Sequence, residues 1–220
     1  MAGKLTKQEL KEPDKFQIML AKGLAYLAEN KQKIYIASGI LAIILLVAGM
    51  WTFYSLNYEK SAQQIYARVY GPSVTDATAA ASLYKEVISQ YPRSHAAATA
   101  HYRLANLYYL QNDFDAAIKG YEDFLKKTSD KNDLKSLAYT GLGYCYESKK
   151  DFKNALIYFE KAAGLKVGQV FEGMNNQNIA RAYEAMNEPV KALEYYQKAL
   201  GKNTDPAAEL LIKRKIATLS

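Results

Sequence analysis

Residues 34–54 read IYIASGILAIILLVAGMWTFY, twenty-one positions without one charged side chain. As an α-helix rising about 1.5 Å per residue, this stretch is roughly 31 Å long, matching a hydrocarbon core of about 30 Å. Ten of its residues are Ile, Leu, Val or Phe, each worth roughly −0.3 to −0.6 kcal/mol near the centre of a membrane helix. Ser38 and Thr52 do not offset that sum. A buried core helix is the alternative, but core helices rarely run this far without a polar face. The stretch therefore predicts one membrane span over residues 34–56. Residues 1–33 form a tail before it, and residues 57–220 a single domain after it, long enough to bury a core of its own.

The tail divides again. Residues 1–14 are polar and charged as far as Pro13 and predict a disordered or weakly helical segment. From Lys15 onward, Phe16, Leu20, Leu24 and Leu27, with Met19 and Gly23 beside them, recur at helical spacing against Lys15, Lys22 and Glu29. That is the pattern of a short amphipathic helix, which lies on anionic lipid, packs on a partner's cytoplasmic face, or serves only as a spacer. A cleaved signal peptide does not fit, because the lead is long and no small-x-small site precedes Asn57 and Tyr58. No cysteine ends the apolar run, which excludes lipoprotein modification there. Lys15, Lys22, Lys31 and Lys33 stand before the span, and only Lys60 and Arg68 close behind it. The positive-inside rule then puts the tail in the cytoplasm and the domain outside. Tyr35 at one end, with Trp51, Tyr54 and Tyr58 at the other, suits interfacial aromatic belts.

The formal net charge is +7. Residues 1–33 hold seven Lys against four acids, so the remainder is near balance, with 22 basic and 18 acidic residues. Nucleic-acid binding needs a clustered basic stripe; the sequence has none, and no nucleic-acid partner is expected. The single cysteine, Cys145, rules out an internal disulfide and reads as a small buried hydrophobe. Nineteen tyrosines are the compositional oddity, and their positions account for them.

From residue 95 onward the sequence repeats itself. Leu104-Ala105 with Tyr108 aligns with Leu142-Gly143 and Tyr146, and with Ile179-Ala180 and Tyr183. Twelve residues after each small residue stands an alanine: Ala117, Ala155 and Ala192. Four later comes an aromatic (Tyr121, Phe159, Tyr196), and three later still Phe124, Ala162 and Ala199. This is the signature of paired antiparallel helices. Small residues sit where the two helices cross, and aromatics fill the space between successive pairs. Polar turn chemistry falls at one offset in Gln111-Asn112-Asp113-Phe114, Lys149-Lys150-Asp151-Phe152 and Met186-Asn187-Glu188-Pro189. One helical hairpin cannot bury its apolar face alone, so stacking supplies the core.

These residues resemble the tetratricopeptide repeat (TPR), with its L-G-x-x-Y, A-x-x-x-F and A pattern. The resemblance covers residues 78–206 and implies an all-α solenoid of helical hairpins, with three clear repeats from about 98, 136 and 173. Ala80, Tyr84, Val87 and Pro92 match half of a degenerate first repeat, whose other helix falls in 57–70 and continues from the span, with Gly71-Pro72 as its turn. Copies are spaced 37 or 38 residues apart, instead of the roughly 34 usual there, so helices or connections are longer. Residues 206–219, with Leu210, Leu211, Arg214 and Leu219 at helical spacing, predict a capping helix.

The family's concave face is lined by set positions of the first helix of each pair. Carried over, they give Thr99, Tyr102, Asn106 and Tyr109, then Leu137, Thr140, Tyr144 and Glu147, then Met174, Gln177, Arg181 and Glu184. We take Tyr102, Asn106, Tyr109, Tyr144, Glu147, Gln177, Arg181 and Glu184 as the candidate partner-binding groove. Tyrosine offers apolar area with a polar tip at low entropic cost, which suits an extended or helical peptide. The alternative is that these tyrosines pack on a C-terminal helix or a neighbouring loop. One sub-family grips terminal carboxylates with paired Lys and Asn. Asn106 and Arg181 are present, the matching lysines are not, and that clamp is not expected.

No catalytic constellation stands out. His95 and His101 lie six apart, the wrong helical spacing for one metal, and read as solvated or packing residues. No Gly-rich phosphate loop follows a strand, residues 164–168 read as a loop between repeats, and no acid/base pair is marked. A non-enzymatic chain without metal or cofactor is expected.

The layout is similar to that of the ancillary TPR subunit of the bacterial Sec translocon: a short tail, a charged lead-in to one span (Glu29-Asn30-Lys31-Gln32-Lys33) and a repeat domain. That resemblance implies a bacterial inner-membrane protein with a periplasmic domain, contacting the translocon, periplasmic chaperones and client polypeptides. The second resemblance is to envelope scaffolds, the outer-membrane-assembly lipoprotein and the cell-division coordinator of the Tol system. They share Tyr91-Pro92-Arg93-Ser94 followed by Tyr102-Arg103-Leu104-Ala105, but lack an uncleaved span. A signalling or enzyme-regulating subunit is a third class, argued by the anchor alone.

Overall fold

The structure, a computed structural model, describes residues 15–72, 74, 76–128, 134–165, 171–202 and 206–219. Residues 1–14, with Pro13, lie outside that set, as does Gly168. The described residues form ten α-helices, and the chain divides into two units, residues 1–56 and 57–220.

The first unit holds α1 (Lys15–Glu29) and the leading part of α2 (Lys31–Ala67). The two meet at Asn30, whose amide Nδ2 donates to the Tyr26 carbonyl at 3.0 Å, while the Ile34 N–H donates to the Asn30 carbonyl at 3.1 Å. The seven large apolar side chains of α1, among them Phe16, Met19, Leu20 and Leu24, are exposed. Every residue of α2 from 35 to 56 is exposed as well. By length and composition α2 is able to cross a membrane, a test that a signal sequence near the N-terminus also passes. Ser38 and Thr52 each return their hydroxyl proton to a carbonyl one turn back, Tyr35 and Gly49 respectively, at 3.0 and 2.8 Å. That leaves no polar hydrogen of theirs seeking water.

The second unit is a stack of helical hairpins. Residues 57–67 of α2, extended by a 3₁₀ turn at Arg68–Tyr70, pair with α3 (Ala77–Gln90). Then α4 (His95–Leu110) pairs with α5 (Phe114–Lys127), α6 (Leu134–Ser148) with α7 (Phe152–Gly164), and α8 (Glu172–Ala185) with α9 (Pro189–Ala199). The last helix, α10 (Pro206–Leu219), packs on α9. Between pairs, α5 meets α6 and α7 meets α8. Gly164 closes α7, so it is helical where a loop was expected. Of the residues that lengthen each copy, 129–133 and 166–170 lie outside the described set.

The turn chemistry sets the hairpins. Asn112, Lys150 and Asn187 occupy one register and all take left-handed backbone, with φ of 61°, 62° and 61°. Each closes its helix as a Schellman turn: the next residue's N–H reaches back to Tyr108, Tyr146 or Tyr183 O at 2.9 Å, satisfying carbonyls the helix end would leave orphaned. Asp113 and Asp151 then cap the following helices through Ala116 and Asn154 N–H at 3.2 Å. In the third copy Glu188 makes no side-chain cap, and Pro189, at the first helical position, starts the helix instead, where its missing N–H costs nothing.

The crossing positions are the buried ones. Ala105, Ala117, Ala155, Ala180 and Ala192 have no exposed surface, and neither do Phe124, Phe159, Ala162 and Ala199. Cys145 lies in the same core, where burial pushes its thiol up to about 12. Gly143 is matched to the Phe159 ring: a Cβ there would lie 2.8 Å from its Cζ, with two other ring carbons nearer still.

Tyr58, expected in an interfacial belt, stands edge-on to Tyr91 at 5.1 Å and accepts from the Arg93 N–H at 3.3 Å. One expectation is corrected. On α10 the buried face is Ile212, with Ile216 and Leu219, while Leu210 and Leu211 are more than half exposed. The 212, 216, 219 series repeats every four and three residues, a truer helical stripe than adjacent leucines.

Candidate partner-binding groove

Three register positions on α4, α6 and α8 carry the candidate groove: Tyr102, Thr140 and Gln177; Asn106, Tyr144 and Arg181; Tyr109, Glu147 and Glu184. Apart from Tyr102 and Thr140, all are half-buried, as side chains on the floor of a channel would be.

Several of their polar tips are tied within the domain. Arg181 reaches back one repeat and grips Glu147 with both ends of its fork, Nε to Oε1 at 2.9 Å and Nη2 to Oε2 at 2.5 Å. This bidentate geometry adds direction as well as energy. Its guanidinium carbon also stands 5.6 Å from the centre of the Tyr144 ring. The Tyr144 hydroxyl donates to Asn178 Oδ1 at 3.2 Å, and Arg181 Nη1 donates to the same oxygen at 3.2 Å. Tyr109 lies 6.4 Å from Tyr144 and 5.7 Å from Phe114, ring centre to ring centre. Tyr109, Tyr144 and Arg181 thus form a continuous ladder across three repeats.

Second helices support the floor from beneath. Tyr121 donates its hydroxyl to Asn106 Oδ1 at 2.5 Å, and Tyr196 donates to Glu184 Oε2 at 2.8 Å. Burial holds both phenols well above the ordinary tyrosine range, so both remain donors at neutral pH. Burial alone would raise the Glu184 carboxyl, but the hydrogen bonds from Lys215 and Tyr196 outweigh it and hold it below the usual carboxylate value. The Arg181 cation is opposed by burial and favoured more strongly by Glu147.

Tyr102 does not reach the channel. It is 8% exposed and packs on Tyr121 and Phe124 at 5.9 and 5.5 Å; it supports the floor from below. Gln177 and Arg181 line a cavity of about 360 Å³ together with residues of α10. Asn178, buried at the hub, was missed. It stands in register with Gly141, and an amide where the previous copy has glycine was the available signal. Its Nδ2 has no partner among the described residues. Lys215, which bonds Glu184 at 2.5 Å, lies outside the repeat pattern altogether. Among the described residues no three His, Cys, Asp or Glu side chains converge as metal ligands would.

Stacked hairpins with crossing alanines and a ladder on the first helices define an all-α repeat scaffold of the protein-binding kind. The chain belongs to the tetratricopeptide repeat-like domain family, which matches residues 25–220. Two crystal structures of MamA protein share the fold. One has a TM-score of 0.53 at 22% identity, covering 68% of this chain and 75% of that one; the other has a TM-score of 0.52 at 21% identity, covering 73% and 81%. The Photosystem I assembly protein Ycf3 of Prochlorococcus marinus (strain NATL1A) is 31% identical over 74 residues, 34% of this chain. That match spans 43% of the relative's length.

Proposed function

We propose that this chain is a membrane-anchored protein-interaction module, single-pass, with residues 1–33 in the cytoplasm and residues 57–220 in the periplasm. The observation that carries the binding role is the ladder Tyr109, Tyr144, Arg181 on successive first helices, a strip of aromatic area with polar tips fit for an extended segment. The groove proper is Asn106, Tyr109, Tyr144, Glu147, Arg181 and Glu184, with Tyr102 as its support. The anchor raises the effective concentration of the groove for anything held at the same membrane. Lysines before the apolar run, and its full exposure over 35–56, support the span and its direction.

Within that role we assign the chain to the Sec translocon as an accessory, linking it to periplasmic chaperones and emerging chains. The support is the tail, the Glu29-Asn30-Lys31-Gln32-Lys33 lead-in and the repeat domain in that order. The motif favouring an envelope or cell-division scaffold has a local explanation: Ser94 Oγ caps α4 by accepting from Ala97 N–H at 2.9 Å, and Tyr91 closes α3 through Val87 O at 2.9 Å. The test is purification of the full-length protein in mild detergent from cells, with identification of what accompanies it. Translocon subunits or nascent secreted chains are the expected companions. Outer-membrane assembly or division proteins in their place would transfer the role to an envelope scaffold. A reporter fused after Ser220 that is active only in the cytoplasm would reverse the topology.

A further inference from the structure

The cavity at the C-terminal end of the groove has an unbalanced charge. Its walls combine Tyr196, Leu211 and Ile212 with three cations, Arg181, Arg214 and Lys215. Two of these are already answered, Arg181 by Glu147 at 2.5 Å and Lys215 by Glu184 at 2.5 Å. The next basic residue on α10, Lys213, is paired with Glu209 at 2.9 Å. Among the described residues, Arg214 alone of the cavity's cations has no acid, and it is exposed. The floor is apolar: Ile212 is 1% exposed, and Leu211 offers more than half of its surface.

We propose that this cavity is a subsite for an acidic side chain, taking an aspartate or glutamate of an extended partner peptide on Arg214, with an adjoining aliphatic residue against Leu211. The assignment rests on the groove reading and gives its C-terminal end a chemistry. A guanidinium fork matches a carboxylate in two parallel hydrogen bonds. One surplus positive charge balances one carboxylate and not a phosphate dianion. At about 360 Å³ the cavity has room for side chains but not for a folded element, and lies low in the roughly 300–1,000 Å³ range of small-ligand clefts. The continuing ladder through Arg181 and Tyr144 leads a bound backbone toward the rest of the groove.

The test uses the full-length protein in detergent micelles and two fluorescein-labelled, C-terminally amidated peptides. One alternates Leu with Glu, and the other carries Gln in place of every Glu. In anisotropy titrations the Glu peptide is expected to bind about tenfold more tightly, as one hydrogen-bonded charge pair gives. Arg214→Gln should erase that preference, and Lys213→Gln, the same loss of charge one residue outside the cavity, should keep it. Equal binding of the two peptides, no binding of either, or a preference that survives Arg214→Gln overturns the subsite. Equal losses in the two variants also overturn it, since bulk charge then explains the preference. If the Gln peptide with a free C-terminus matches the Glu peptide, the carboxylate is terminal and the side-chain assignment falls. Tyr109→Ala separates this from the groove itself. If it weakens both peptides while the Glu preference is missing, the groove stands and the subsite falls. If it changes neither while Arg214 still selects Glu, the subsite stands without the groove.

Discussion

Replacing Gly143 by alanine sets two effects against each other. In the middle of a helix alanine is favoured over glycine by about 1 kcal/mol. Against that stands Phe159, whose Cζ would lie 2.8 Å from the new Cβ, where carbon atoms pack comfortably at about 3.5–4.0 Å. The ring has nowhere to go. It has no exposed surface, and it stands edge-on to Tyr144 at 5.5 Å, so its retreat pushes on the residue that bonds Asn178. Overpacking of this kind costs about 1–3 kcal/mol, which outweighs the helix gain of about 1 kcal/mol at all but its lower end. Gly143→Ala should therefore destabilise the protein by up to about 2 kcal/mol. Urea unfolding of the full-length protein in mild detergent, followed by far-UV circular dichroism, reads this as a lower midpoint at unchanged slope. Gly164→Ala is the control, because nothing lies within 4 Å of a Cβ built there, and it should be neutral or mildly stabilising. Phe159→Leu, added to Gly143→Ala, should cost less than the sum of the two single changes. A Gly143→Ala protein as stable as Gly164→Ala would refute the packing register from which the hairpins are built.

Three further outcomes follow from the same geometry. Lys150 holds a left-handed backbone at φ 62° where the sister turns use asparagine, so Lys150→Gly should raise stability by about 0.5–1 kcal/mol, measured by the same unfolding curves. A double-mutant cycle of Glu147→Gln and Arg181→Met should give a coupling of about 1 kcal/mol, reduced from a fully buried pair because the two side chains are 24% and 37% exposed; additive losses would dissolve the tie between α6 and α8. The lowered carboxyl of Glu184 binds its proton less tightly in the folded than in the unfolded chain. Its stabilisation is complete above the ordinary glutamate value and is lost as pH falls through the folded one. The gap in melting temperature between the native protein and Glu184→Gln should therefore close on acidification, and a gap constant from neutral pH into the acid range contradicts the pairing.

The hairpin register was legible because it is written by repetition. Crossing alanines, filling aromatics and turn residues recur at fixed offsets, and each is demanded by local sterics that one repeat states as well as three. Asn112 and Asn187 announce a left-handed turn by type, and Lys150 follows by position. What depends on the next repeat was not legible. The family positions put Tyr102 on the groove, yet its ring belongs to Tyr121 and Phe124, since a tyrosine on that face can tip inward wherever the helix beneath offers aromatic partners. Asn178 became the hub because a phenol from one repeat and a guanidinium from its own helix converge there, a meeting that spacing along the chain does not encode. Likewise α10 was foreseen as a cap but not with its Lys215 on Glu184. Helical spacing fixes that a stripe exists, and the choice between Ile212 and the adjacent leucines is made by the shape of α9.

The central claim is that partners lie along the first-helix ladder, and site-specific photo-crosslinking in cells tests it most directly. A benzophenone amino acid is placed in turn at Tyr109 and Tyr144, and at Ile157, which is 45% exposed on the second helix α7. Adducts formed from positions 109 and 144 and not from 157 are the expected result. Adducts from 157 alone, or equally from all three, would place the binding surface elsewhere.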